Sequence, residues 1–294
     1  MLRISEASDS PPSTLGRSRL TRILTHYPGL IVGGFLFGLL VFAAIFAPWL
    51  GTVDPAALAP SLRLAPPSDT AWLGTDMLGR DVYSRAIYGA RISLSVGVSV
   101  ALLTAIFGTA IGILSGYVRW LDPIIMRITD GLMAIPAILL AIALMSVTRG
   151  SIVAVVVAIS LSQLPQVIRL IRGVVLTIRE LPFFEAAIAA GSSPLRIVYN
   201  HVLPNVLIPL SVQATYICAA AIMTEAALSF IGAGTPPMIP SWGNMIADAR
   251  TLWQIKPHLI AVPAIFLTVT VLAINLVGDS VRDLLDPRFS KGRK

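Results

Sequence analysis

Six stretches of this 294-residue sequence run for 18 to 27 residues without a charged side chain: Gly29–Leu50, Ile92–Val118, Gly131–Thr148, Gly150–Ile168, Val202–Thr224 and Leu259–Gly278. About 20 mainly apolar residues in a helix cross the hydrocarbon core of a bilayer. Helices satisfy their own backbone groups there, which loops and open sheets do not. The pattern therefore predicts an all-α integral membrane protein with six transmembrane helices. Only Arg149 separates the third run from the fourth, which predicts a tight hairpin between them. Composition agrees: 13% of residues are charged, where a soluble domain carries about 25%.

Six spans place both termini on one side. Fifteen arginines and lysines fall in 1–28, 119–130, 169–201 and 279–294, against seven in 51–91, at 149 and in 225–258. The positive-inside rule then puts both termini in the cytoplasm. The net charge of +7 reads as this loop bias with membrane lipid as a partner, and no basic run points to nucleic acid. Residues 1–28 form a polar, arginine-bearing tail, and 282–294 a second cytoplasmic tail. The first apolar run is too long for the 7–15-residue core of a secretory signal and reads as a retained span. Trp49, Trp120 and Trp253 sit near span ends, as interfacial anchors do. The lone Cys218 builds no disulfide within the chain. His26, His201 and His258 are far apart, so no metal site is expected.

Several residues inside or beside the spans admit two readings. Gly108, Gly112 and Gly116 line one face of the second span and allow close helix approach, either within the bundle or against another subunit. Gly34 and Gly38 repeat this more weakly. Asp76, Arg80, Asp81 and Arg85 alternate in sign, either pairing on a short interfacial helix or forming a solvated loop. Glu225 interrupts an apolar run near the outer end of the fifth span. Such a residue faces a translocation path or partner, or else it snorkels or caps. Pro136 and Pro165 should bend the third and fourth spans.

Between the fourth and fifth spans lies a long polar stretch. Pro182 suits the first turn of a helix, and Glu185 complements the positive end of its dipole. Ala186, Ala187, Ala189 and Ala190 favour helix with little bulk, and Gly191 can end it in a left-handed conformation. Ser193-Pro194 then opens a second helix that enters the membrane near Leu203-Pro204. Glu185-Ala186-Ala187, Gly191 and His201-Val202-Leu203-Pro204 together resemble the EAA loop of ABC importer permeases. The histidine at 201 stands where the wider family has isoleucine and resembles the peptide-permease branch.

Two further stretches resemble C-type permeases of dipeptide, oligopeptide and nickel importers: Trp72 to Arg91, with its Gly-Thr-Asp-Met-Leu-Gly-Arg-Asp core, and Glu225 to Gly243. The resemblance implies a type I ABC importer permease fold in the bacterial inner membrane, with a first transmembrane helix plus external segment (29–91) and a permease core of five helices (92–281). It implies inward transport of peptides, with nickel or a nickel chelate as the alternative cargo. Its partners would be a homologous B-type permease, two cytoplasmic ATPases that use ATP and Mg, and an external solute-binding protein. The short helix at Glu185 would dock on an ATPase. The chain itself has no G-x-x-x-x-G-K-[ST] phosphate loop, and its three lysines (Lys256, Lys291, Lys294) follow no glycine-rich turn. It is read as a non-enzymatic conduit that binds no cofactor. A secondary transporter or channel, the reading from another class, would need ionisable relays near the midplane, and the six runs contain none.

Overall fold

The computed structural model describes residues 28–147 and 151–285, which are helical with no strand among them. In chain order the helices are α1 (Pro28–Ile45), α2 (Val82–Tyr117), α3 (Asp122–Met133), α4 (Ala137–Val147) and α5 (Ile152–Arg179). There follow α6 (Pro182–Ala189), α7 (Pro194–Ile197), a π turn (Val198–Val202), α8 (Leu203–Phe230), α9 (Trp242–Ala249) and α10 (His258–Leu285). Five helical stretches are long and apolar enough to cross a membrane: α1, α2, α5, α7–α8 and α10. The bent pair α3–α4 supplies a sixth passage if it is taken as one span.

The third span departs furthest from the sequence pattern. Pro136 cannot donate to the helix ladder and its ring crowds the preceding turn. The chain bends there by 86° between α3 and α4, so α4 is only 11 residues long. The hairpin expected at Arg149 lies outside the described residues. Pro165, by contrast, sits inside α5 without ending it.

Helix ends follow local chemistry. Asp81 accepts from the Ser84 amide at 2.7 Å and caps α2, so this helix starts ten residues before its uncharged run and carries Arg85 and Arg91 within it. Ser151 caps α5 by accepting from Ala154 N at 3.1 Å. Pro48 ends α1, and a 3-10 turn covers Ala47–Trp49. Trp49, Trp120 and Trp253 are exposed, as interfacial anchoring requires.

The bundle is organised around α2 and α5. A Cβ added to Gly108, Gly112 or Gly116 would lie 2.6, 2.7 and 2.7 Å from the Cβ atoms of Val167, Ile171 and Val175. The glycine seam is thus a contact within this chain, and of the two readings it is the bundle that holds. Arg179 then closes the far end of α2, donating to the carbonyls of Gly116 at 2.7 Å and Tyr117 at 3.2 Å. α1 leans on α10 through Gly29 and Gly33, while Gly34 and Gly38 have nothing within 4 Å of an added Cβ.

These contacts predict opposite outcomes for one kind of substitution. Gly112→Ala should cost about 1–3 kcal/mol through overpacking. Gly34→Ala should be neutral or slightly stabilising, because alanine is the better helix former. Thermal unfolding of the detergent-purified variants measures both, and equal midpoints would contradict the packing described.

Candidate functional site

The loop after α5 folds as its residues dictate. Leu181 is extended (φ −86°, ψ 142°) and Pro182 opens α6, with Glu185 in the first turn. Gly191 adopts φ +74°. Its amide donates to Ile188 O at 2.9 Å, and the Ser192 amide reaches back to Ala187 O at 3.1 Å. This is the Schellman pattern, in which a left-handed residue satisfies the last carbonyls of a helix. Ser193 precedes Pro194 in extended conformation but makes no side-chain cap bond.

One side of α6 is anchored and the other is free. Phe184 is buried and meets the Tyr117 ring edge-on at 6.3 Å, at the end of α2. Glu185, Ala186, Ala189 and Gly191 are exposed, and Ala187 is half-buried. Exposed apolar groups flank them: Phe183, Ile188 (55%), Leu195 (83%) and Tyr199. His201 packs its ring against Phe183 at 5.8 Å, which ties the base of α8 to α6. Leu203 and Pro204 open α8 behind the π turn. Proline in a helix crowds the carbonyl four residues back, and a widened turn relieves that crowding. Asn205 Nδ2 donates to His201 O at 2.7 Å.

Glu225 lies at the other end of the molecule, 22 residues and about 33 Å further along α8 than Leu203. It is fully buried. Ser229 donates to its Oε1 at 2.8 Å and Thr235 does so at 3.3 Å. Ser93 of α2 faces the same carboxyl, although neither Ser93 Oγ nor Glu225 Oε2 has a well-formed partner. Asn244 bonds Thr235 Oγ1 at 2.9 Å and the carbonyls of Pro236 and Ile239 at 3.0 and 3.1 Å. Glu225 and Asn244 thereby staple the proline-bearing loop 231–241 to the top of α8. Trp242, which sequence position alone would assign to the membrane interface, is fully buried and donates to Ala86 O at 3.0 Å. A buried indole needs such an acceptor.

The alternating charges of 76–85 form neither an interfacial helix nor a solvated loop. Arg80 and Arg85 are 3% and 2% exposed. Both reach Asp76 Oδ2, at 2.7 and 2.5 Å, and both reach Asp248 Oδ2 of α9, at 2.8 and 3.3 Å. Asp81 stands apart as the α2 cap. Burial pushes the Asp76 carboxyl up, but Arg80, the amides of Arg80 and Leu78, and Arg85 outweigh it and hold it below the ordinary value of 3.8. Asp248, Trp242 and Phe184 escape sequence reasoning, because each acts through a partner more than 60 residues away. Among the described residues no cluster of three or more His, Cys, Asp or Glu side chains stands ready for a metal.

A helical bundle with five or six apolar spans, an exposed glycine-ended helix at one end and a locked loop at the other is the architecture of a multi-pass integral membrane protein. The chain belongs to the family of binding-protein-dependent transport system inner membrane components, whose model matches residues 108–291. A probable peptide ABC transporter permease of Sinorhizobium fredii is 49% identical over 292 residues, 99% of either chain. A dipeptide transport system permease of Alkalihalophilus pseudofirmus is 42% identical over 260 residues, covering 88% of this chain and 86% of that one. In three dimensions the chain is similar to one from the inward-facing MetNI methionine ABC transporter, with TM-score 0.55 and 19% identity over 68% of this chain and 96% of that one. That likeness shows the fold. The protein is thus a multi-pass inner-membrane permease of the ABC type.

The charge network carries a prediction of its own. Asp76→Asn leaves two buried guanidinium groups sharing one carboxylate and should cost about 3–5 kcal/mol, the usual penalty for breaking a buried ion pair. Because the Asp76 carboxyl is held below 3.8 in the folded protein, its stabilisation is fully present above that value and is lost as pH falls through the lower folded one. Thermal unfolding from pH 3 to 7 should show a loss at the acid end that is diminished in Asp76→Asn. A pH profile identical in the variant would contradict this role.

Proposed function

We propose that the chain conducts peptides, di- or oligopeptides, into the cytoplasm, pairing with a homologous B-type permease above two ATPases and receiving cargo from an external solute-binding protein. In this reading both termini and α6 are cytoplasmic, and α9 with the loop 231–241 is external. The chain performs no chemistry, and ATP and Mg act in the partner ATPases. The observation that carries the reading is α6 itself, a short exposed helix ended by Gly191 at φ +74°. Its small residues Ala186, Ala187 and Ala189 leave room for a partner groove, and Phe183, Ile188, Leu195 and Tyr199 supply apolar anchors around it. The peptide cargo is supported by the relatives named for it.

Orientation is tested by labelling. Met238 is exposed at the loop tip, so Met238→Cys in a Cys218→Ala background should react with an impermeant thiol reagent added outside intact cells. Reaction only after the membrane is broken would reverse the topology.

Coupling is tested at Gly191. A valine there strains the backbone by about 1–3 kcal/mol, although open space surrounds the position. Gly191→Val should reduce peptide uptake and coupled ATP hydrolysis per assembled complex, with insertion intact. Gly191→Asn should restore much of both, since asparagine tolerates the left-handed region. Glu185→Ala, which removes a dipole interaction of roughly 0.3–1 kcal/mol and any bond to the ATPase, should do less harm than Gly191→Val. Normal uptake by Gly191→Val at normal abundance would show that this loop does not transmit the power stroke.

A further inference from the structure

Three of the four helix contacts around one groove are sealed by glycine, and the fourth is not. A Cβ added to Gly97 of α2 would lie 2.6 Å from Ile222 Cγ1 of α8, and one on Gly33 of α1 would lie 2.8 Å from Leu276 Cβ of α10. Gly278 likewise brings α10 against Thr215 of α8. Among the described residues no glycine joins α1 to α2 in this way. Between these four helices a groove of about 230 Å³ remains, walled by Phe37 of α1, Val98 and Leu102 of α2, Ala214 and Cys218 of α8, and Ile274 of α10. The hydroxyl on its walls, that of Thr215, is already engaged, donating to Val212 O at 2.7 Å. The groove is also deep in the membrane. Arg91 Nη2 donates to Ile45 O at 3.4 Å, and this exposed charge belongs at the bilayer surface. Phe37 stands 8 residues from Ile45 and Val98 stands 7 from Arg91, so the groove begins about 10–12 Å of helix away from that contact.

The mouth of the groove is continuous with the apolar outer surface of the bundle. Val98 and Leu102 are 42% and 57% exposed, Ile106 stands open one turn further along α2, and Phe35 and Leu39 stand open on α1 beside Phe37. α1 is peripheral, burying only Gly33, Leu40 and Ala44. We propose that the groove is a binding site for one acyl chain of a bilayer phospholipid, which enters between α1 and α2. Water is a poor occupant, because a buried water needs two to four polar partners. A charged solute would lose its hydration with nothing to pair against. Hydrocarbon fits, since an apolar cavity of about 150 Å³ is already large enough to take up benzene. One turn of a neighbouring helix, about 10 Å across and 5.4 Å long, displaces more volume than the groove offers. A chain seated there gives side chains on four helices the dispersion contacts that a void withholds. It thereby completes the attachment of α1 to α2 where no glycine does so. The assignment depends on the membrane location of the chain and not on the cargo it carries.

The test uses the full chain, purified together with its partner subunits and placed in lipid nanodiscs. The probe is a phosphatidylethanolamine with a diazirine midway along one acyl chain, and adducts formed on irradiation are mapped by mass spectrometry. They should fall on the groove walls at 214–218 and 274–277 as well as on the exposed Leu39 of α1. Ala214→Leu fills the groove from α8 and should lower the wall adducts about fivefold or more, because an overpacked site excludes the chain. Adducts at Leu39 should stay unchanged, which also reports that the variant is inserted and folded. Ala105→Leu, which fills the groove from α2, should act in the same way. No wall adducts on the unsubstituted chain would mean that a side chain of a partner subunit closes the groove. Wall adducts undiminished in both variants would mean unspecific contact with the bilayer. Either result overturns the proposal.

Discussion

The close approach of α2 to α5 is the contact on which the remaining arrangement depends. Apolar helices gain little by associating in lipid unless their backbones come near enough for dense packing. Gly108, Gly112 and Gly116 remove three side chains from one face, and Val167, Ile171 and Val175 fill the space from the other. Because the β-branched residues repeat at the same interval as the glycines, the seam continues over two full turns. α2 has 36 residues, about 54 Å of helix, so it reaches both functional ends. At one end Arg85 joins the buried charge network, and at the other Tyr117 receives Phe184 of α6. A single rod thus bears the locked loop region and the exposed helix.

The two ends solve different problems. At the α9 end, a proline-rich loop (231–241) and a charged segment (76–85) must be held still. Two arginines share two carboxylates there, while Glu225, Thr235 and Asn244 tie the loop by hydrogen bonds. Burying ions is expensive, and the cost is met only when each is paired and hydrogen-bonded. The shared arrangement around Asp76 and Asp248 does this while joining segments 163 residues apart. At the α6 end the reverse holds. Between Leu181 and His201 only Phe184 and Ile197 are buried, and the small exposed residues have apolar groups around them. The backbone of α6 is thus fixed while its outer side chains stay uncovered by the rest of the described chain.

Much of this was legible from local chemistry. The short helix, its proline start, its glycine stop and the following Ser193-Pro194 start all appear in the structure at the residues that predict them, since each feature depends on neighbours within a few positions. Boundaries read from hydropathy fared less well. α2 begins at Val82 and not at Ile92, because Asp81 caps it there and Arg85 is neutralised by Asp76 and the distant Asp248. The third span breaks at Pro136 by far more than an ordinary kink, leaving α3 and α4 nearly perpendicular. Trp242 is a buried pin that no local pattern reveals, since its acceptor, the carbonyl of Ala86, lies 156 residues away.

By itself the sequence determined that this chain is helical, that it lives in a membrane, and where the short helix between the fourth and fifth spans starts and stops. Those conclusions follow from transfer energies and backbone conformations, which each segment carries with it wherever it packs. Which faces meet was decided only by the tertiary structure. Gly108, Gly112 and Gly116 found α5, whereas Gly34 and Gly38 found nothing. Glu225 was sealed among hydroxyls, whereas Asp279 was left exposed. The physical reason is that helix pairing and burial depend on the relative rotation of several helices at once, and no single periodic pattern encodes that.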